Sequence, residues 1–426
     1  MKDITVLILA GGDCSRVWPL EEKHFLQFCG RPLISYPISQ LIRHGLTNFV
    51  IVTNKNNNEM FERLTATFPG ASFVLTQQGQ KPGMAQAVIS AKEHITGKKL
   101  LVIGPSDIYE DILLVDFKKM LAKNPEGLLA GTAVSGYFPG AYLSLDRGMV
   151  VKIVEKPDPD KTPSQIINFV FDYFRNSNSL LESFDKIKTD KDDLYERAID
   201  YLLGKGMEFR FLPYKGYWGF LKYPWDVLSL SAYFLGKIEG KNIGKAEIAE
   251  SAVISDRVYI GDGVKIMENV KITGPSYIGR GTIIGDNCVI RESHIGDNCV
   301  VGYTSEIARS HIGNRCWFHH NYIGDSVLAD NVSLGAGAVT ANFRLDEQPV
   351  SSVVNNKKIK TGKTKLGMIA GENVRIGVNA AIMPGVKIGC NSYVGSGVVL
   401  DKDLPAGKFC SLVSNSYQVA ENKIFK

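Results

Sequence analysis

A short loop near the amino terminus combines residues that suit phosphate binding. The stretch LAGGDCSRVWPL (residues 9–20) follows the apolar run ITVLI and contains the pair Gly11-Gly12, then Arg16. Bare backbone N–H groups in such a loop can surround phosphate oxygens, and a guanidinium binds phosphate in a planar, bidentate way. The loop therefore predicts a phosphate site. Cys14 stands where a further bare backbone position would help, because its Cβ narrows the room and penalises a positive φ.

The first half of the chain is predicted to hold this loop at the edge of a sheet. Apolar runs such as FVIVTN and LLVIGPSD alternate with amphipathic segments such as MAQAVISAKEHI. Strands that alternate with helices predict βαβ units and a Rossmann-like, mostly parallel sheet. Ligands of such sheets bind beyond the carboxyl ends of the strands. We therefore expect the site in loops 11–20, 77–86 and 104–111.

The second half has a different period. Apolar residues recur every six positions, at Ile248, Ile254, Ile260, Ile266, Ile272, Ile278, Ile284 and Ile290, and again at Ile376, Ile382, Ile388, Val394 and Leu400. Neither a helix nor an ordinary strand has this period, whereas a hexapeptide-repeat parallel β-helix does. Inward-pointing isoleucines should stack coil upon coil, with Cys288, Cys299 and Cys316 at a second, small inward position. The stretch 340–375 should leave the helix, and we expect domains at 1–235 and 236–426.

Composition limits the classes of function. The 426 residues carry a net charge of only +5 without a standout basic block, so we expect no nucleic-acid partner. No apolar run approaches the roughly 20 residues of a membrane span, so no membrane partner is expected. The seven cysteines are scattered and odd in number, which suggests reduced thiols in the cytoplasm.

Both halves resemble one family. Four segments are similar to segments of sugar-1-phosphate nucleotidylyltransferases with a C-terminal left-handed β-helix. They are AGGDCSRVWPLEEKHFLQFCGRPLI (10–34), QGQKPGMAQA (78–87), VVKIVEKP (150–157) and GYWGFLKYPWDVL (216–228). The chain looks most like the bifunctional nucleotidylyltransferase/amino-sugar acetyltransferases. The resemblance implies transfer of a nucleotidyl group from a nucleoside triphosphate to a sugar-1-phosphate, with release of pyrophosphate.

The resemblance also implies roles for individual residues. Arg16 would hold the leaving pyrophosphate, Lys23 would neutralise the α-phosphate, and Asp107 would bind Mg²⁺. The nucleotide would be bound by Gly11, Gly12, Gln78 and Gly83, and the sugar phosphate by Gly140, Glu155, Lys156 and Asn168. Trp218 is expected to pack rather than to stack on a substrate.

Four positions of this first site depart from the family pattern. Cys14, Ser106 and Val170 each stand where the family usually has glycine. Phe220 replaces the second metal carboxylate of the closing segment, which normally reads Trp-x-Asp-Ile-Gly. These changes weaken the expectation of efficient nucleotidyl transfer.

The second half resembles the acetyltransferase region, most clearly in residues 318–347. His319 would be the general base that deprotonates an amine, while Tyr322 and Asn342 match sugar-binding or oxyanion positions. Here too the pattern is broken, by Ala308, Ser333 and Gln348, with Arg309 as a substitute for a missing cation. The sequence leaves open whether acetyl-CoA binds. In this family such β-helices commonly form trimers, with the acyl site between subunits.

Simpler interpretations remain beside these roles. Arg16 and Lys23 would then be surface cations, Asp107 a helix cap, Glu155 part of an exposed strand and His319 a hydrogen-bonded repeat corner. At the level of the whole chain, the rival to an enzyme is a catalytically silent regulatory or scaffolding homologue that binds nucleotide sugars. The base also stays open: the Gln78 region points to uridine or thymidine, ranked slightly ahead of the guanine suggested by RVWPL.

Overall fold

The computed structural model of the chain describes residues 1–79 and 81–413. They divide into two compact units. The first unit comprises residues 1–14, 22–26 and 31–221, and the second comprises 15–21, 27–30 and the chain from residue 222 onward. The domain boundary expected between residues 235 and 236 stays a prediction.

The first unit is built on a nine-stranded sheet. Its strands are β1 Ile4–Leu9, β2 Asn48–Thr53, β3 Ser72–Gln77, β4 Lys99–Ile103, β5 Gly127–Ala133, β6 Ala141–Asp146, β7 Met149–Glu155, β8 Ile166–Phe174 and β9 Phe209–Pro213. Valine, isoleucine, leucine and phenylalanine make up most of β1, β2 and β4, which are almost entirely buried, as is typical of strands that are covered on both faces.

The strand order is β3-β2-β1-β4-β8-β5-β9-β7-β6. Strands β3, β2, β1 and β4 are all parallel, so the βαβ units expected from the sequence form this half of the sheet. In the other half, β8 runs antiparallel to β4 and β5, while β5 and β9 are parallel. The carboxyl ends of β1, β3 and β4 therefore lead into the predicted site loops.

Eight α-helices accompany the strands in the described residues: Ser35–Arg43, Asn58–Thr65, Met84–Ser90, Lys92–Ile95, Ile112–Leu121, Ser177–Phe184, Leu194–Gly204 and Asp226–Gly236. Short 3-10 turns occupy Ser15–Val17, Lys23–Phe25 and Pro159–Lys161. The helices bury apolar stripes, such as Phe61 and Leu64 of the second helix, against the sheet core. No helix in residues 1–79 or 81–413 is long and apolar enough to span a membrane.

The second unit contains the predicted β-helix, which has three faces, each a sheet of parallel strands. The first face has Lys241–Ile243, Val258–Ile260, Ser276–Ile278, His294–Ile295, His311–Ile312, Val327–Leu328, Ile369–Ala370 and Lys387–Ile388. The second has Glu247–Ile248, Lys265–Ile266, Ile283–Ile284, Val300–Val301, Trp317–Phe318, Ser333–Leu334, Arg375–Ile376, Tyr393–Val394 and Phe409–Cys410. The third has Val253–Ile254, Lys271–Thr273, Val289–Arg291, Glu306–Ala308, Tyr322–Gly324, Val339–Thr340, Ala381–Ile382 and Val399–Leu400.

The six-residue period produces one continuous core. Ile260 aligns with Ile278, and Ile278 with Ile295, so equivalent isoleucines stack along the axis. The inward thiols predicted from the sequence are confirmed, because Cys288, Cys299 and Cys316 all lie in this core. Such stacking removes apolar surface from water at every coil, which is the main favourable contribution to stability.

The glycines that follow the isoleucines permit close approach between coils. A Cβ on Gly279 would lie 2.5 Å from the backbone carbonyl carbon of Gly296, and one on Gly296 would lie 2.6 Å from the carbonyl oxygen of Gly313. A side chain at these positions would therefore push neighbouring coils apart. Left-handed corner positions are often asparagine instead, as at Asn287 and Asn298.

The predicted excursion from the β-helix is confirmed. After Val339–Thr340 the chain leaves the third face, forms the antiparallel hairpin Ser351–Val354/Lys357–Lys360, and rejoins at Ile369–Ala370. Lys387, which is 1 % exposed, anchors the hairpin by donating hydrogen bonds to Ser352 Oγ at 3.1 Å and to the carbonyl of Val353. Its ammonium group also forms an ion pair with Asp403 at 3.0 Å.

Candidate active sites

The glycine loop and the base-recognition segment meet in the first unit. A Cβ on Gly11 would overlap the carboxamide oxygen of Gln78, so only glycine allows this approach. Nε2 of Gln78 donates a hydrogen bond to the carbonyl of Gly83 at 3.2 Å. Gly83 has φ +106°, and a Cβ there would lie 2.6 Å from Oδ1 of Asp192. Three of the four predicted nucleotide-binding residues thus form one contiguous group.

Two asparagines hold the glycine loop from below. Nδ2 of Asn57 donates to the carbonyl of Ala10 at 3.0 Å, and Nδ2 of Asn54 donates to that of Gly12 at 3.2 Å. These two hydrogen bonds fix the main chain on both sides of Gly11. Gly12, the fourth predicted nucleotide-binding residue, has open space on the side where a Cβ would point.

Cys14 adopts the left-handed conformation, with φ 56°. This is the backbone region that glycine reaches without steric cost. The departure from the family pattern therefore falls at a position whose conformation favours glycine. Burial raises the pKa of the Cys14 thiol, while the charge of Lys23 acts in the opposite direction. The thiol is thus held mainly neutral.

Lys23 and Asp107 interact electrostatically. Burial raises the pKa of Asp107 to about 6, and the hydrogen bond from Trp218 and the charge of Lys23 both act to lower it. The indole N–H of Trp218 donates to Oδ1 of Asp107 at 3.0 Å. A half-buried, ionised carboxylate beside a cation is suited to binding an anionic substrate that carries a metal ion.

A hydrogen bond joins the segments that carry Lys23 and Asp107. Nδ1 of His24 lies 3.2 Å from Oγ of Ser106, and both side chains are buried. Burial, and secondarily the charge of Lys23, holds the pKa of His24 well below its usual range, so the imidazole is neutral.

The closing segment is fastened to the strand after Asp107. Trp218 and Gly219 pair with Tyr109 and Ile108 in a short antiparallel ladder. As expected, the indole of Trp218 packs among aromatic rings: its centroid lies 5.5 Å from that of Phe169. The sequence did not indicate that the same indole also orients Asp107.

Phe220 forms part of an aromatic wall. Its ring centroid lies 4.8 Å from Trp218 and 5.3 Å from Phe138. These rings border a cavity of about 550 Å³, lined also by Thr132, Ala133, Val134, Ser135, Gly136, Tyr137 and Gly216. The residue that replaces the second carboxylate thus contributes apolar surface where the family pattern has charge.

Three predicted sugar-phosphate residues lie together at the end of β7. The N–H of Lys156 donates to the carbonyl of Gly140 at 3.1 Å. Lys156 also forms an ion pair with the neighbouring Glu155. Lys156 has φ 44°, a conformation that few L-residues adopt and that often marks functional positions. A cation beside a carboxylate can bind both the phosphate and a hydroxyl of one sugar phosphate.

Asn168, the fourth, faces a buried polar network. Its Nδ2 donates to the carbonyl of Ala130 at 2.9 Å and to Oδ1 of Asp172 at 2.8 Å. Tyr195 donates its hydroxyl to Oδ2 of Asp172 at 2.9 Å. Burial raises the pKa of Asp172 to about 7. Asn168 is thus fixed by its neighbours, and its Nδ2 already serves two acceptors.

Arg16 lies in the 3-10 turn Ser15–Val17, which groups with the second unit. Its side chain is exposed. This turn belongs to a segment attached to the last coils, since Sγ of Cys390 lies 3.5 Å from the carbonyl oxygen of Pro19. Lys387 lies 5.3 Å above the ring of Trp18.

In the second unit, Tyr322 and Asn342 are neighbours. Nδ2 of Asn342 donates to the hydroxyl of Tyr322 at 3.1 Å and also to Oδ2 of Asp325. Asp325 in turn holds Arg309 through two hydrogen bonds of 2.8 and 2.7 Å. Arg309, the suggested substitute cation, is therefore tied to a carboxylate for which the sequence predicted no role.

His319 lies beside a different cavity, of about 360 Å³. Arg315, Trp317, Asn331, Ser333, Leu334, Gly335, Arg375 and Ile376 complete its lining. The main-chain N–H of His319 donates to Oδ1 of Asn321 at 2.8 Å, and Nδ2 of Asn321 donates to the carbonyls of Gly335 and Ala338. The corner that carries His319 is therefore fixed, while its imidazole is exposed to solvent.

The partners of several site residues were not predicted from the sequence. His24, Asp172, Asn57 and Asp325 each have a polar contact with a predicted residue or its neighbour, and none of the four was expected to have a role. The signal available for His24 was its place directly after Lys23. For Asp172 it was an acidic residue inside an apolar strand, which is rare without a partner.

Family models and curated relatives match both halves of the chain. Residues 5–219 match the nucleotidyl transferase family, residues 243–361 the GMPPB C-terminal domain, and residues 368–402 the hexapeptide repeat of succinyl-transferase. A bifunctional sugar-1-phosphate nucleotidylyltransferase/acetyltransferase of Sulfurisphaera tokodaii is 30% identical, over 94% of this chain and 98% of that protein. The bifunctional protein GlmU of Methanocaldococcus jannaschii is 30% identical, over 95% and 96%.

These matches cover both units, and both the glycine-loop sheet and the six-residue repeat lie within them. The chain therefore belongs to the nucleotidyl transferase family, among the sugar-1-phosphate nucleotidylyltransferases that carry a C-terminal β-helix of hexapeptide repeats.

Proposed function

We propose that the first unit transfers a nucleotidyl group from a nucleoside triphosphate to a sugar-1-phosphate. A phosphate oxygen of the sugar attacks the α-phosphorus, the bond to the β-phosphate oxygen breaks, and pyrophosphate leaves. The observation that carries the proposal is the 3.0 Å hydrogen bond by which the Trp218 indole orients the carboxylate of Asp107, a group that also feels the charge of Lys23. A cation and a metal-binding carboxylate on one substrate are the elements that neutralise charge in such a transfer.

The chain's own residues supply binding and orientation. Gln78 and Gly83 border the place for the base, and the N–H groups after Gly11 face the triphosphate. Lys156 and Glu155 hold the sugar phosphate, and Lys23 neutralises the α-phosphate as the new bond forms. The role of Arg16 toward the pyrophosphate stays a prediction from the sequence. Placing two anions in line accounts for most of the acceleration expected of this reaction class.

The residues present fit Mg²⁺ carried by the substrate. Mg²⁺ keeps several waters and takes one or two carboxylates plus phosphate oxygens, so Asp107 alone is a sufficient protein ligand. Within the described residues, no group of three histidine, cysteine or acidic side chains forms a cage of its own. When bound, Mg²⁺ would neutralise charge on the phosphates.

The test is pyrophosphate release with Mg²⁺ across nucleoside triphosphates and hexose-1-phosphates, including glucosamine and N-acetylglucosamine forms. We expect turnover with one pair and a loss of at least about 100-fold in Lys23→Ala. Lys55→Ala, at an exposed lysine of the same unit, should retain activity. Binding of a nucleotide sugar without turnover in any combination would instead support the silent homologue.

We further propose that the β-helix acetylates an amino-sugar-1-phosphate with acetyl-CoA, with His319 as general base. Tyr322 and Asn342, already joined by a hydrogen bond, would contact the sugar. The exposed neighbour His320 provides the control: His319→Ala should abolish acetyl transfer, and His320→Ala should not. A homotrimer formed through the β-helix and a cytoplasmic location complete the proposal, with sedimentation analysis as the test of assembly. All seven cysteines are free thiols, as a reducing compartment requires.

A further inference from the structure

We infer that His24 and Ser106 act as a positioning pair, which holds the Lys23 turn and the Asp107 loop at a fixed separation. The inference rests on the proposed nucleotidyl transfer. His24 follows Lys23 directly in the 3-10 turn Lys23–Phe25, and Ser106 precedes Asp107 directly. The 3.2 Å hydrogen bond between Nδ1 and Oγ therefore joins the two segments at positions one residue away from Lys23 and Asp107.

The surroundings of His24 leave its ring one polar task. The residue is 1 % exposed, its ring lies 6.4 Å from that of Phe61, and among the described residues its Nε2 has no hydrogen-bond partner. A buried polar ring costs free energy unless it forms a hydrogen bond. The bond to Ser106 is the interaction that offsets this cost.

The same bond gives a physical reason for serine at position 106, where the family usually has glycine. Ser106 is 7 % exposed, so an unbonded hydroxyl there would also be costly. A hydrogen-bonded serine restricts the loop before Asp107, whereas glycine would leave it free to adopt other conformations. Serine at this position thus strengthens the site instead of weakening it.

Fixed placement has a particular value in this site. Phe220 occupies the place of the second carboxylate, so Asp107 is the single carboxylate expected to meet the metal-bound triphosphate. Trp218 sets the orientation of its side chain through Oδ1. The His24–Ser106 bond sets the main chain from which it projects. A displacement of about 1 Å in such a group can cost about 100-fold in rate.

A double-mutant cycle tests the pair. Ser106→Ala removes the hydroxyl, and His24→Phe keeps the ring packing against Phe61 while removing Nδ1. We expect each change to lower kcat/KM for pyrophosphate release about tenfold and to raise the half-saturating Mg²⁺ concentration. The double variant should have a kcat/KM no lower than that of the less active single variant, because both changes remove the same interaction. His24→Asn, whose amide can replace Nδ1, should recover activity to within about threefold of the wild type.

Emission from Trp218 gives a readout independent of turnover. The signal is the difference between each protein and the same protein with Trp218→Phe, as Mg²⁺ and a nucleoside triphosphate are added. We expect weaker apparent Mg²⁺ binding in both single variants, and recovery in His24→Asn. Melting temperatures measured alongside identify any loss that follows from unfolding alone.

The outcomes separate this inference from the proposed function. If the double variant loses the product of the two single losses, or if His24→Asn is as impaired as His24→Phe, the pair does not act as a unit. If the wild type shows the Trp218 response but no turnover, the proposed transfer fails, and the emission cycle alone decides the inference. If the wild type shows no turnover and no Trp218 response, both the inference and the proposed transfer are overturned.

Discussion

The indole of Trp218 donates a hydrogen bond to the carboxylate of Asp107 across a separation of 111 residues in the chain. The bond joins the closing segment of the first unit to the loop after β4. It also assigns a task to an aromatic side chain that otherwise serves packing, because the ring contacts Phe169 and Phe220 while its N–H orients an acid.

Trp218→Phe should lower kcat/KM for nucleotidyl transfer about tenfold, since it removes a hydrogen bond to a charged group but retains an aromatic ring. The half-saturating Mg²⁺ concentration should rise at the same time. Steady-state kinetics at several Mg²⁺ concentrations measure both quantities. Trp225→Phe, at a buried tryptophan of the second unit, is the control, and an equal loss there would contradict the assignment.

Cys14→Gly should lower KM for the nucleoside triphosphate several-fold. Glycine accepts the observed φ of 56° without steric cost and leaves more room for a phosphate. The free energy of unfolding should change by less than about 1 kcal/mol, because relief of the left-handed strain is offset by the greater freedom of glycine in the unfolded chain. Cys14→Ala separates the causes: it removes the thiol but keeps Cβ, so its KM should match the wild type. Equal KM values in the two variants would refute the steric explanation.

Phe220→Asp should bind Mg²⁺ more tightly than Phe220→Asn. Both substitutions remove the ring from the aromatic wall and enlarge the same cavity, so their effects on stability should be similar. Only aspartate adds an ionised oxygen ligand of the kind that Mg²⁺ prefers. The comparison is the half-saturating Mg²⁺ concentration, expected to be about threefold lower or more in the aspartate variant. Indistinguishable values would mean that position 220 does not face the metal.

Asp172→Asn should change how stability depends on pH. Burial raises the folded-state pKa of Asp172 to about 7, from an ordinary value of 3.8 in the unfolded chain. Between these values the folded protein binds the proton more tightly than the unfolded chain, so this residue's contribution to stability falls as pH rises from about 4 to about 7. Asparagine cannot ionise, and its amide can satisfy Asn168 and Tyr195.

Urea unfolding of wild type and Asp172→Asn at pH 4 to 8 measures this effect. The variant should gain stability relative to the wild type with rising pH, by at most about 4 kcal/mol across the window. A constant difference between the two proteins would show that Asp172 does not titrate in this range. Asp146→Asn, at an exposed carboxylate of the same unit, is the matched control.

The β-helix could be predicted in detail because its information is local and repeated. Each isoleucine of the series occupies an equivalent position in a six-residue unit, and equivalent units stack, so the spacing alone identifies the inward face. The same reasoning found Cys288 and Cys299 as inward thiols. The glycine loop could be predicted from the sequence for a similar reason, since Gly11 and Gly12 directly follow a predicted strand.

The hydrogen-bond partners of the site residues could not be predicted from local sequence in this way. Asp107 and Trp218 are 111 residues apart, and His24 and Ser106 are 82 apart. No periodicity connects such residues, because their approach depends on strand order in the sheet and on the path of the closing segment. A lone buried histidine or an acid in an apolar strand indicates that a partner exists without identifying it.

Residue types and local spacing thus predicted the two architectures, the phosphate loop and the candidate acids and cations. Packing decided which carboxylate is oriented by which donor, and that Phe220 is part of an aromatic wall. It also decided that Arg309 is held by Asp325. The physical reason is that a repeat or a turn is stabilised by neighbours along the chain, whereas a site is assembled from hydrogen bonds between distant segments that only the folded protein brings together.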